Sequence, residues 1–170
     1  MNHLAFSWHG TSLLSAELTA GAVRATLRTM VDFPHLLTLW RADGSGLQVW
    51  SRMHDIAERV EIGVLEFALV KEKTEEPKPS SNGAREVSFI DIDLPTSFRS
   101  HNRVTKLVIS EANTTAESGI VIRASDHKEI IILSSAMPYN LAIRGIFSMS
   151  MPRIFEPAYD FGCYERVEIA

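Results

Sequence analysis

The chain has 170 residues, of which 45% are hydrophobic and 22% charged, with Gly 9 and Pro 7. These proportions exclude collagenous, low-complexity and wholly disordered classes, and the length suits one domain that builds its own core without disulfide or metal staples. Seventeen Lys and Arg against 21 Asp and Glu give a formal net charge of -4, so a phosphate-binding groove is not expected, because nucleic-acid affinity rests on clustered cations.

No Lys or Arg precedes Arg24, and Asn2 rather than glycine follows Met1. The basic start of a secretory signal and the N-myristoylation pattern are therefore missing. Ser12 to Ala20 could form about two helical turns. From Val23 to Val31, apolar Val23, Ala25 and Leu27 alternate with Arg24, Thr26 and Arg28, which is the period of a half-buried strand. Leu36 to Trp40 and Leu47 to Trp50 flank Asp43-Gly44-Ser45-Gly46, and glycines in that position permit a tight reversal, so the two runs predict a hairpin. Met53, Ile56, Ala57 and Val60 follow a helical stripe and predict a short amphipathic helix over Arg52 to Val60.

Glu61 to Val70 reads as a strand whose apolar phase changes from Val60, Ile62 and Val64 to Leu65, Phe67 and Leu69, and a β-bulge at Gly63 would explain the switch. Residues 71–84 hold almost nothing apolar and are expected to form a disordered loop, either between two small domains or as the long tip of a hairpin; two half-chains would each have a marginal core, which favours one domain. Glu86 to Leu94 and Val104 to Ser110 are further strands. Ile120 to Arg123 and Glu129 to Leu133 make a second hairpin around Ser125 to Lys128, and Tyr139 to Ile143 follows as a short strand. Residues 155–169 are rich in Phe and Tyr, so this tail is expected to dock on the body or on a second copy in a homo-oligomer. The sum is a mainly β protein, a single-domain antiparallel sandwich or distorted barrel with one or two short helices.

Candidate chemistry is sparse. His54, Asp55, Glu58 and Arg59 form the densest polar group; His54 and Glu58 would share a face in helix or strand, and an imidazole beside a carboxylate can act as a base or bind a metal. Ion-paired residues on a solvated face explain the same pattern more simply. Asp91 and Asp93 lie on one face of their strand, as paired carboxylates of a glycosidase would, but also as charges guarding a wet sheet edge do. Ser134 and Ser135 lack the glycines of a nucleophile elbow, Cys163 lacks an assigned histidine, and His35 and His127 read as loop residues. No metal site, cofactor fingerprint or membrane-spanning run emerges. Trp40 and Trp50, with Arg41 and Arg52 close by, could make a partner-binding surface, although core packing is the commoner fate of tryptophans in short strands.

The reading is a non-catalytic binding or interaction protein of the cytoplasm, with a protein partner and neither nucleic acid nor membrane as ligand. An inhibitory or neutralising role would suit so small an acidic domain. A small-molecule or metal-dependent hydrolase centred on His54, Asp55, Glu58 and Arg59 is the alternative. Limited proteolysis tests the loop: rapid cutting is expected within Thr74 to Asn82, and protection there with cutting elsewhere would contradict it.

Overall fold

The computed structural model describes residues 1–30, 33–71, 87–135, 139–146 and 163–169. Strands dominate: β1 (Asn2–Leu4), β2 (Ser7–His9), β3 (Arg24–Met30), β4 (Phe33–Trp40), β5 (Ser45–Ala57), β6 (Val60–Lys71), β7 (Val87–Asp93), β8 (Arg103–Glu111), β9 (Thr114–Arg123), β10 (Glu129–Ser134), β11 (Leu141–Arg144) and β12 (Glu165–Glu168). Among the described residues, the helix α1 (Leu14–Thr19) and a 3-10 turn at Thr96–Arg99 accompany them.

The strands form two sheets. The first runs β11-β10-β9-β8-β12, with β1 added parallel to β9; the second runs β2-β6-β5-β4-β3-β7. β2 joins the second sheet as a parallel strand on β6, so the chain crosses from one sheet to the other between Leu4 and Ser7. Among the described residues the strands do not close into a barrel, and the fold is a β sandwich. No helix among them is long and apolar enough to cross a membrane.

Both predicted hairpins form. At the first, Gly44 adopts φ 86, Arg41 N–H donates to the Ser45 carbonyl at 2.8 Å, and the Asp43 carboxylate accepts from the Ser45 N–H and hydroxyl. Those two bonds hold the Asp43 carboxyl below its usual pKa. At the second hairpin, His127 turns the chain with φ 68.

Side chains from the inward phase of each strand make the core. Leu27, Leu37, Val49, Leu65 and Phe67 of the second sheet pack with Ile120, Ile122, Ile130, Ile132 and Ile143 of the first in one buried cluster. Fully burying each such side chain contributes about 1.5–3 kcal/mol. The cluster takes residues from both sides of segment 72–86, so the two halves of the chain share it.

Several expectations change. Arg52 to Val60 is not a helix: β5 pairs with β6 from Ser45↔Lys71 to Ala57↔Val60, and this ladder overrides a short apolar stripe. The bulge falls at Ile56 rather than Gly63, since Met53↔Gly63 is in regular register and the shift comes between Asp55 and Ala57. The change of phase in β6 has another cause. Leu65 and Phe67 enter the main core, while Ile62 and Val64 enter a second cluster with Ala116, so the strand is covered on both faces. Gly63 serves close approach instead: a Cβ there would lie 1.7 Å from Ser134 Oγ.

His35 belongs to β4 rather than a loop, and its half-buried imidazole has a lowered pKa, through desolvation and then the nearby Arg28 charge. The expected hairpin across residues 71–84 does not form, because β7 pairs with β3, four strand positions from β6. Apart from Lys71, the last residue of β6, that predicted loop lies outside the described residues. So does the tail up to residue 162, while β12 pairs antiparallel with β8. Trp8, which carried no expectation, packs against the core, whereas Trp40 and Trp50 lie outside every buried cluster.

Gly63→Ala is expected to lower stability by about 2 kcal/mol through overpacking. Urea unfolding measures it, and Ser134→Gly in the same chain should recover part of the loss; an unchanged midpoint for Gly63→Ala would refute the close-contact account.

Candidate functional site

Period-two geometry sends Arg24, Thr26 and Arg28 of β3, Thr38 and Trp40 of β4, and Trp50, Arg52 and His54 of β5 to the side of the second sheet opposite the core. Two aromatic groupings stand on this outer face. In the first, Trp40 lies opposite Gly46 on one side and Arg24 on the other. Its Nε1 donates to Thr26 Oγ1 at 2.8 Å, the Thr26 hydroxyl donates to the Asp91 carboxylate, and Arg24 donates to the same carboxylate at 3.1 Å. The Arg24 guanidinium also lies 5.3 Å from the Trp40 ring centroid, close enough for a cation–π contact. Four side chains from three strands thus close a ring that fixes the indole.

The second grouping surrounds Glu66, whose side chain is only 8% exposed. Arg52 approaches one carboxylate oxygen at 3.4 Å and His9 the other at 3.8 Å. His9 in turn stacks on Trp50, with ring centroids 5.7 Å apart and planes inclined by 19°. A buried carboxylate needs such partners, since an uncompensated buried charge is strongly destabilising. The result is an indole and an imidazole held face to face beside an exposed guanidinium.

The candidates from sequence are distributed unevenly. Trp40, Trp50 and Arg52 share the outer face, but the two indoles are not cross-strand neighbours: Trp40 is paired with Gly46, four residues from Trp50 along β5. Arg41 is elsewhere. It pairs with the Glu17 carboxylate, donates to the Glu17 carbonyl at 3.1 Å, and ties α1 to the second sheet. His54, Asp55, Glu58 and Arg59 do not converge: the Ile56 bulge and the turn, with Arg59 at φ 59, interrupt the alternation that would place His54 and Glu58 on one face. Their side chains make no hydrogen bond or ion pair among the described residues. Asp91 joins the Trp40 ring, and Asp93 lies exposed at the outer end of the same edge strand. Ser134 is buried against Ser51 of the opposite sheet, with the hydroxyls 2.6 Å apart, and Cys163 is exposed and outside any disulfide.

Arg24, Thr26, His9 and Glu66 went unremarked as functional residues. Glu66 did carry a signal, as the lone charge in the apolar run Val64 to Val70, whereas His9 sits in a three-residue strand too short to show a pattern.

A matching carboxylate lies in the first sheet. Glu117, 3% exposed, pairs with Lys106 at 2.7 Å and with His3 at 3.5 Å, and the Lys106 ammonium stands 5.5 Å from the Phe6 ring centroid. His3 Nδ1 is 2.7 Å from Thr115 Oγ1, across the β1–β9 ladder. No group of three or more His, Cys, Asp or Glu among the described residues is placed to hold a metal ion.

Compared with known proteins, the chain matches no family model, no curated protein and no solved structure at a significant level.

Lys106→Met leaves Glu117 buried with His3 as its remaining partner and is expected to lower stability by about 3 kcal/mol. Lys106→Met with Glu117→Leu should be less destabilising than Lys106→Met alone; guanidinium unfolding of the three chains checks the order, and a neutral Lys106→Met would remove the ion pair from the account.

Proposed function

We propose that the protein is a non-catalytic interaction protein that docks a protein partner on the outer face of its second sheet. One observation carries this reading: two tryptophans stand outside the core, each fixed by neighbours and each beside an arginine. Trp and Arg dominate the energetic centres of protein interfaces, because a fixed indole offers large contact area at little entropic cost and a guanidinium offers several donors. Arg24 beside Trp40 and Arg52 beside Trp50 supply both, and exposed Phe89, with the Arg28 guanidinium 6.0 Å from its ring centroid, extends the same surface toward β7.

A protein partner suits this face better than a nucleic acid. Its cations are interleaved with Asp91, Asp93 and Glu66, and the chain is acidic overall at -4. An inhibitory or neutralising role and a cytoplasmic home fit within the proposal; a lone cysteine outside any disulfide agrees with a reducing compartment. A homo-oligomer through residues 155–169 belongs to it as well, since β12 is the edge strand of the first sheet and all four of its residues are exposed. The hydrolase centred on His54, Asp55, Glu58 and Arg59 has less support, because nothing draws those four groups together.

Affinity capture from the source cell, followed by mass spectrometry, tests the reading with four chains. A stoichiometric protein should be retained by the wild type and by His54→Ala, and lost with Trp50→Ala and with Arg24→Glu. Equal retention by all four would take the outer face out of the interaction.

A further inference from the structure

β12 pairs with β8 on one side, and among the described residues no strand lies on its other side. All four of its residues are exposed, Val167 among them at 41%. An edge of this kind is a template on which a further strand can form. We propose that the further strand is β12 of a second copy of this chain, running antiparallel to the first, with Val167 on the two-fold axis. The inference rests on the homo-oligomer through residues 155–169 and supplies its contact; it is independent of the outer face of the second sheet.

Backbone direction narrows the register first. Just past the β12–β8 ladder, the Ile169 N–H donates to the Val104 carbonyl at 2.9 Å. Backbone groups alternate sides along a strand, so Val167 and Glu165 also turn theirs toward β8, while Arg166 and Glu168 turn theirs outward. In an antiparallel pair, residues that exchange hydrogen bonds lie directly opposite each other. Outward-turned residues must therefore meet outward-turned residues of the other copy, and the two-fold axis passes through a residue rather than between two.

Charge then selects among the positions left. An axis at Glu165 or at Glu168 sets that carboxylate against its own copy, and an axis at Arg166 sets two guanidinium groups against each other. Like charges directly opposite destabilise a strand pair, and opposite charges stabilise it. With the axis at Val167, the two valines meet, and Arg166 of each copy lies opposite Glu168 of the other. Both residues then exchange backbone hydrogen bonds across the axis and form an ion pair at each end. Glu168 already pairs with Arg103, so the incoming Arg166 extends an existing contact into a short network. One strand edge is far smaller than a permanent interface, and the contact suits a reversible dimer.

Disulfide trapping reads the register. Residues paired without hydrogen bonds in an antiparallel ladder have Cα atoms about 4.5 Å apart, within the roughly 4.4–6.8 Å that a disulfide spans. The chain has Cys 1, so Cys163→Ser clears the background. In that background, Val167→Cys and Glu165→Cys are oxidised with glutathione disulfide, and the cross-linked dimer is followed by non-reducing electrophoresis. Val167→Cys should cross-link at least tenfold faster than Glu165→Cys, whose copies lie apart when the axis is at Val167. Arg166→Glu added to Val167→Cys should slow cross-linking at least threefold. Equal rates at the two positions, or no effect of Arg166→Glu, would overturn the register. Light scattering of the wild-type chain across a range of concentrations tests the homo-oligomer by itself. A dimer fraction that grows with concentration is expected; a monomer throughout would remove the homo-oligomer and this contact together and leave the outer-face reading untouched.

Discussion

At Gly63 the backbone of one sheet comes within hydrogen-bond reach of the other. Ser118 donates across the gap to the Gly63 carbonyl at 2.5 Å, and beside it the hydroxyls of Ser51 and Ser134 meet at 2.6 Å. Stacked sheets ordinarily lie about 10 Å apart, separated by the side chains of both. Here there is room for no side chain at position 63 and only for small hydroxyls around it. The narrow passage divides the interior. On one side the sheets admit Phe67, Leu37, Ile120 and Ile132; on the other, Met53 and Ile109 line a cleft. Ser118 reaches across because it is the extra residue of a bulge in β9, where the register steps from Leu107↔Gly119 to Val108↔Glu117. One inserted residue thereby sets the distance between two six-stranded layers.

Each sheet also carries one deeply buried carboxylate, Glu117 in the first and Glu66 in the second, and each is met by a cation from a neighbouring strand and by a histidine from the segment that crosses between the sheets. Such pairs add little net stability over apolar residues of the same shape, but they penalise any arrangement that leaves the charge alone. For three-residue strands such as β1 and β2, whose backbone hydrogen bonds are few, that penalty works as a specification of register. His3 and His9 stand six residues apart, and each finds its glutamate only if the chain crosses between the sheets at Phe6, whose ring packs on Phe67 at 5.1 Å.

Strand content was legible where a period of two persisted, as in β3 and β7, and where apolar or β-branched runs flank a turn, as in the hairpins around Gly44 and His127. It was illegible where strands were too short to show a period, as in β1, β2 and β12, and misleading where both faces are covered. Ile56, Ile62 and Val64 face the cluster around Ala116 while Leu65 faces the main core, so the sequence around them loses its alternation, and the helical reading of Arg52 to Val60 arose from that loss. The outer face was half legible. Trp40, Trp50 and Arg52 drew notice by residue type, but their fate as surface or core depended on which phase of each strand turned inward, and Arg41, one residue out of that phase, went to α1 instead. Asp91 could be assigned to a solvent face from its alternation, while its bond to Thr26 required the β3–β7 pairing across 65 residues of sequence to be known.

That crossing segment bears on how the protein is made. His3 lies 112 residues in sequence from Thr115, its neighbour in the parallel ladder, and Ser7 lies beside Glu66 of β6. At a synthesis rate of roughly 5–20 residues per second, β1 waits on the order of ten seconds for β9 to be made, whereas β2 has its partner in about half that time. During the interval Leu65 and Phe67 of the second sheet are uncovered by the sheet that will bury them. Strand β9 therefore decides when β1 can be seated, and β2 is committed to its sheet well before β1 is committed to the other.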